Sequence, residues 1–115
     1  MNTVGDFYEL RTLVPAYGGF RAEAVMRPDH PVYAGHFPER PVVPGVFTLA
    51  MVRDCAAAVL GRPAGYEAVR ECKFLSVLLP GDVVTLEFTL DGQLKLAGTV
   101  RRGTDVILKL KAVLR

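Results

Sequence analysis

The chain has 115 residues, of which 50% are hydrophobic and 23% are charged, and its formal net charge is +2. This length supports one hydrophobic core but not two ordinary domains, so we expect a single domain over residues 1–115. The net charge is small and the lysines and arginines are scattered, which argues against a nucleic-acid-binding protein. Arg53 and Asp54 interrupt the longest apolar stretch, residues 42–60, so no membrane-spanning helix of about 20 residues is predicted.

The N-terminal residues have neither the basic nor the apolar segment of a secretory signal, and we therefore expect a cytoplasmic protein. Cys55 and Cys72 lack CxxC spacing and lie in apolar sequence, which predicts two reduced thiols in the core. The two histidines, His30 and His36, are six residues apart. That spacing suits neither a helical pair of metal ligands nor a zinc finger, so no metal site is expected.

In chain order, the first predicted elements are strands at residues 7–15 and 20–26, joined as a hairpin through a pair of glycines. The proline-rich residues 27–43 are predicted to form a stiff, irregular loop. A helix follows over residues 45–60, apolar on nearly every face and ended by Gly61. Four further strands with a glycine at each break predict a meander of three hairpins; they cover residues 66–78, 83–90, 94–101 and 105–114.

A helix that is apolar nearly all round must be covered on most of its surface. Six strands are available to cover it, and most of their connections are short enough for antiparallel pairing. The sequence therefore predicts the α+β class, with an antiparallel sheet of about six strands wrapped around one long central helix.

The segment from His30 to Val46 is the most informative for function. Within it, Gly35 permits a turn, three prolines stiffen the loop, and Pro44-Gly45 stands where a helix can begin. We expect this arrangement to hold His36 in a defined position near the start of the helix.

The same segment resembles the hot-dog-fold 3-hydroxyacyl-acyl-carrier-protein dehydratases of fatty acid synthesis. That family has a His-Pro, a Gly-His-Phe-Pro and a Pro-Gly-Val that opens the central helix, and this order is kept here at 30–31, 35–38 and 44–46. A second block, from Lys73-Phe74 to Pro80-Gly81-Asp82, is similar to the strand and turn that follow the helix in the family.

The resemblance implies a hot-dog fold and removal of water from a (3R)-3-hydroxyacyl thioester to give the trans-2-enoyl thioester. It implies a substrate carried on the phosphopantetheine arm of acyl carrier protein, with no other cofactor. It also implies a dimer at least, with each site built from two protomers, and a role in fatty acid or more specialised, polyene-like lipid synthesis.

Within this resemblance, His36 would be the base that takes the proton from C2. The backbone N–H groups of Gly45 and Val46, at the positive end of the helix dipole, would stabilise the thioester oxygen. Phe37 and Phe47 are candidates to line the acyl chain, although apolar residues at this spacing are more often core.

One departure from the family concerns the catalytic acid. The family has a Glu or Asp fourteen residues after the histidine, and that position is Ala50 here. Asp54 lies one helical turn further on and is the candidate replacement, acting across the dimer interface. Two alternatives stay open: a hot-dog acyl thioesterase, and a non-catalytic subunit that partners an active dehydratase.

Overall fold

The computed structural model describes residues 7–30 and 42–115 of the chain. These residues form one helix and six strands, and the bounds of most elements agree with the sequence prediction to within one residue. The elements are β1 (Tyr8–Ala16), β2 (Gly19–Met26), α1 (Gly45–Leu60), β3 (Tyr66–Phe74), β4 (Val83–Leu90), β5 (Lys95–Arg102) and β6 (Asp105–Leu114). The predicted loop over residues 27–43 lies mostly outside the described residues.

The six strands form a single antiparallel sheet in the order β1-β2-β4-β5-β6-β3. The predicted N-terminal hairpin is confirmed, as are the hairpins that join β4 to β5 and β5 to β6. The third predicted hairpin is wrong, because β3 pairs with β6 at the edge of the sheet and not with β4.

The physical reason lies in the turn that precedes β4. The Gly81 N–H, at a φ of 88°, donates to the Met26 carbonyl at 2.7 Å, and the Met26 N–H donates to the Asp82 carbonyl at 2.8 Å. These bonds fasten the start of β4 to the end of β2, so the segment 75–82 is a crossover between distant strands. The strand predicted over 66–78 accordingly ends at Phe74.

Helix α1 packs on one face of this sheet and supplies the centre of the core. Met51, Val52, Cys55 and Ala56 are at most 1% exposed and belong to the same cluster as the inward side chains of the strands. The opposite helix face is more open, and Val46 is 67% exposed. The helix is therefore apolar on nearly every face but only partly covered within the described residues of one chain.

The prediction of two core thiols is confirmed for Cys55 and wrong for Cys72. Both are free cysteines, but Cys72 is exposed because it lies on β3, an edge strand with mostly exposed side chains. Among the described residues, no helix is both long enough and apolar enough to cross a bilayer.

Candidate active site at the start of the central helix

The N-terminus of α1 is left without a side-chain cap. Pro44 occupies the capping position, where Ser, Thr, Asp or Asn is usual, and it has no side-chain acceptor. The Phe47 N–H donates to the Pro44 carbonyl at 3.0 Å, and the first turn has no acidic residue. The N–H groups of Gly45 and Val46 are the ones that helix geometry leaves for a ligand, at the positive end of the helix dipole.

A cavity of about 300 Å³ opens beside this helix end. Its wall is largely apolar, and residues from the helix, from the end of β3, from the following crossover and from β6 contribute to it. The lining includes Val43, Gly45, Thr48, Phe74, Val77 and Ile107. A cleft of this kind suits a largely apolar small-molecule ligand that has a few polar groups.

Gly45 is required for the close packing at the mouth of this cavity. A Cβ atom placed on Gly45 would lie 2.9 Å from the Cζ atom of Phe74. The Phe74 ring therefore closes over the backbone of the first helical residue, and it is itself 47% exposed. Because the ring is not fully enclosed, it can move aside for a ligand more easily than a core side chain can.

The wall formed by the crossover is held by an ionic contact that sequence reasoning missed. The Arg102 guanidinium donates to the Val77 carbonyl at 3.0 Å and to Asp82 Oδ2 at 2.8 Å. The same Asp82 oxygen accepts from the Leu79 N–H at 2.8 Å, and the hydrogen bond from Arg102 to Asp82 is the main cause of the raised pKa of Arg102. The Asp of Pro-Gly-Asp was the available signal, since aspartate commonly bonds backbone N–H groups in turns.

Asp54 lies in a different environment, about halfway along α1. Its Oδ2 atom accepts a hydrogen bond from the Tyr8 hydroxyl at 2.9 Å, and its Oδ1 atom is 3.2 Å from the Arg53 guanidinium. Burial and the bond to Asp54 both raise the pKa of Tyr8 well above its usual value. Asp54 lies nine positions after Gly45, which corresponds to roughly 13 Å along a helix axis. Within one chain the two groups therefore cannot contact the same reacting atoms.

Ala50 lies between these two groups and is 7% exposed. Tyr66 also contacts this part of the helix, because its hydroxyl donates to the Leu49 carbonyl at 2.6 Å. The middle of the helix is thus fastened to both edges of the sheet, through Tyr8 on β1 and Tyr66 on β3.

Phe47 and His30 belong to an aromatic cluster on the side of the helix that faces β1. The ring centroids of Phe7 and Phe47 are 4.8 Å apart, and those of His30 and Phe47 are 5.4 Å apart in an edge-on arrangement. His30 is only 7% exposed, so it belongs to the packed interior. The role of Phe47 along an acyl chain stays a prediction.

The structure therefore brings Gly45 to a cavity, places Val46 exposed at the helix end, and sets Asp54 apart from both. His36 and Phe37 lie outside the described residues, so their predicted roles stay predictions. Within residues 7–30 and 42–115, no group of three or more His, Cys, Asp or Glu side chains gathers as metal ligands would.

Comparison with known proteins places this chain in a family. Residues 17–108 match the family model described as ApeI-like, ApeI dehydratase. The chain belongs to the ApeI-like dehydratase family. This ApeI-like chain also superimposes on the structure of the dehydratase heterocomplex ApeI:P from Xenorhabdus doucetiae, with a TM-score of 0.79 at 22% identity, covering 92% of this chain and 96% of that one.

Curated relatives of the ApeI-like chain include 3-hydroxyacyl-[acyl-carrier-protein] dehydratases FabZ. The protein from Latilactobacillus sakei is 43% identical over 67 residues, which is 52% of this chain and 48% of that protein. The protein from Staphylococcus aureus strain JH9 is 28% identical over 125 aligned positions, covering 90% of this chain and 84% of that protein. A mutant of the fluoroacetyl-CoA-specific thioesterase FlK shares the fold at a TM-score of 0.57 and 19% identity, covering 88% of this chain and 89% of that one. The hot-dog fold predicted from the sequence is thereby confirmed.

Proposed function

We propose that this chain is a subunit of a dehydratase that converts (3R)-3-hydroxyacyl thioesters on acyl carrier protein into trans-2-enoyl thioesters. The observation that carries the proposal is the uncapped end of α1, where Gly45 opens on an apolar cavity of about 300 Å³. Membership of a dehydratase family and the named reaction of the FabZ relatives support the same chemistry.

In the proposed reaction, His36 takes the proton from C2 of the substrate. The negative charge that develops on the thioester oxygen is stabilised by the Gly45 N–H, with Val46 as the neighbouring donor. The C3–O bond then breaks, and the hydroxyl leaves as water after it receives a proton from an acid. The products are the enoyl thioester and one water molecule, so no cofactor besides the arm that carries the substrate is needed.

We propose Asp54 of a second subunit as that acid. To serve in this role, its carboxyl must carry a proton when substrate is bound, whereas in the single chain it accepts bonds from Tyr8 and Arg53. Within one chain, Asp54 is too far from Gly45 to act at the same site, because nine helical positions correspond to roughly 13 Å. Subunit association would bring Asp54 close to the site of the neighbouring subunit. Loss of general-acid assistance lowers turnover by roughly 10²–10⁴-fold.

Turnover of a 3-hydroxyacyl pantetheine thioester, followed by the absorbance of the enoyl product, tests these assignments. His36→Ala should abolish product formation, and Asp54→Asn, which can still accept a bond from Tyr8, should lower it by about 10²-fold or more. Turnover by His36→Ala equal to the wild type would reject the base. Release of free thiol from an acyl thioester without a 3-hydroxyl group would instead favour the thioesterase.

A second candidate is a subunit that works only together with a related chain. Two observations favour it: Ala50 replaces the acid of the dehydratases that the sequence resembles, and the similar ApeI:P structure is a heterocomplex. The edge strand β3 offers nine residues with mostly exposed side chains, so the sheet can continue into a second subunit. We therefore propose a dimer at least, of like or related chains.

Turnover by the chain without a partner distinguishes the two candidates. If Asp54 supplies the acid, the wild type should form product alone, and Ala50→Glu should not be needed for turnover. If the wild type is inactive alone but active when mixed with a related chain that has Glu at this position, the second candidate is supported. Light scattering of each purified form then gives the number of subunits.

A further inference from the structure

Thr48 is a buried polar residue that the assignments above leave without a role. It lies on the first turns of α1 and is 2% exposed, in a helix that is otherwise almost entirely apolar up to Arg53. Among the described residues, the Thr48 hydroxyl makes no hydrogen bond to any side chain or backbone group. A threonine inside a helix normally bonds the carbonyl four residues earlier or faces solvent, and a buried hydroxyl without a partner is destabilising.

The position of Thr48 relates it to the helix end. It lies three residues after Gly45, so the two residues share one face of the helix. Side chains on a helix lean toward its N-terminus, which directs the Thr48 side chain toward the first turn. Both residues line the same cavity, as does Phe74.

We propose that the Thr48 hydroxyl is a second hydrogen-bond donor to the thioester carbonyl oxygen, to which the Gly45 N–H also donates. This inference rests on the proposed function and deepens it. An oxygen at the mouth of the cavity would satisfy two donors that have no partner within the described chain, one from the backbone and one from the side chain. Ser76 also lines the cavity but is only partly buried, so water can satisfy its hydroxyl.

The test compares two unreactive ligands, one with a carbonyl group at the position of the thioester carbonyl and one without it. One is a pantetheine amide with a saturated acyl chain, which keeps a carbonyl group, and the other is the matching thioether, which has none. Thr48→Val removes the hydroxyl at constant shape, Thr48→Ser keeps it, and Thr89→Val makes the same chemical change on an exposed site of the sheet. Binding is measured by calorimetry on the protein in the assembly that it forms in solution.

We expect Thr48→Val to bind the amide about 5- to 10-fold more weakly than the wild type does, in keeping with the loss of one hydrogen bond. The same variant should bind the thioether as tightly as the wild type, and Thr48→Ser and Thr89→Val should bind both ligands normally. Equal weakening for both ligands, or no weakening for the amide, would overturn the role of Thr48 alone. If the wild type does not prefer the amide to the thioether, the oxygen site at the helix end is rejected, and the role of Thr48 with it.

Thermal unfolding provides a second test, because a hydroxyl that bonds within the protein and a hydroxyl without a partner have opposite effects on the melting temperature when removed. Because the hydroxyl has no partner among the described residues, Thr48→Val should raise the melting temperature by a few degrees. A lower melting temperature would show that the hydroxyl bonds within the protein, and the proposal would be wrong.

Discussion

The two ends of the central helix are built in opposite ways. At the C-terminus, Gly61 adopts a φ of 71°, its N–H donates to the Ala57 carbonyl at 2.9 Å, and the Arg62 N–H reaches the same carbonyl at 3.3 Å. At the N-terminus, Pro44 provides no side-chain cap, and a cavity adjoins Gly45. A helix gains stability from caps at both ends. The open end is therefore the one whose donors are available for function.

Glycine substitution at each end should separate function from stability. Gly45→Ala places a Cβ atom 2.9 Å from the Phe74 ring and narrows the approach to the backbone N–H. Because loss of one donor to an oxyanion lowers turnover by roughly 10²-fold or more, we expect an effect of that order, with little loss of stability since Phe74 can move.

Gly61→Ala is the matched change at the closed end. It finds open space but forces an alanine into the left-handed region, which costs about 1–2 kcal/mol of stability. Turnover should stay at the wild-type value once the protein is folded. Urea unfolding of both variants is measured alongside their activity. Equal activity of Gly45→Ala and Gly61→Ala would contradict a specific role of the N-terminal end in turnover.

The pH dependence of the free energy of unfolding tests how well water is excluded from the middle of the helix. Burial, with a smaller contribution from Asp54, raises the pKa of Cys55 from its ordinary value of 9.0 to about 11. Between these two values the folded chain keeps the thiol proton and the unfolded chain has released it, so unfolding releases a proton and becomes more favourable as pH rises. The free energy of unfolding should therefore fall above pH 9, by at most about 1.4 kcal/mol per pH unit from this group.

Cys55→Ala should reduce this slope between pH 9 and 10, below the range in which Tyr8 and Tyr66 contribute. Their raised pKa values act in the same direction at higher pH. Cys72→Ala is the control on the exposed edge strand and should keep most of the slope. An unchanged slope in Cys55→Ala would show that the thiol is not sealed from water.

A cap introduced at the open end of the helix should raise the stability of the protein and weaken its binding of ligand. In Pro44→Ser, the hydroxyl can accept from the N–H of Val46 or Phe47, and Pro44→Ala removes the proline without adding a cap. The serine variant should be more stable than the alanine variant by about 1 kcal/mol and should bind the pantetheine amide more weakly. Identical stability and affinity of the two variants would indicate that these N–H groups are already satisfied.

Thiol labelling gives the smallest effect of the set. Cys72 is exposed and Cys55 is buried, so one thiol should react promptly with an aromatic disulfide reagent in the native protein and the second only after unfolding. Prompt reaction of both thiols would show that the core around the helix opens readily.

The local parts of this fold could be predicted from the sequence, because they depend on neighbouring residues. The helix over 45–60 follows from its apolar run and from Gly61, and two of the late hairpins follow from their glycine-containing turns. The start of β5 shows the limit, since Leu94 takes a φ of 62° in the turn and the strand begins one residue later than predicted.

Contacts between residues distant in the sequence were not predictable in this way. β3 pairs with β6, and the turn before β4 is hydrogen-bonded to the end of β2. Neither contact can be predicted from a local sequence pattern. The bond from Tyr8 to Asp54 spans 46 residues, and the contact of Arg102 with Asp82 spans 20. Thr48 could have been noticed as a polar residue three positions after Gly45, but its burial beside a cavity required the fold.

The most direct test of the open helix end is an NMR titration of the backbone amides with the unreactive pantetheine amide. We predict that the Gly45 amide proton moves downfield as the ligand saturates the protein, since it gains a hydrogen bond to the carbonyl oxygen, while the Gly61 amide proton stays where it is. A bound ligand that leaves the Gly45 amide unmoved would contradict the account.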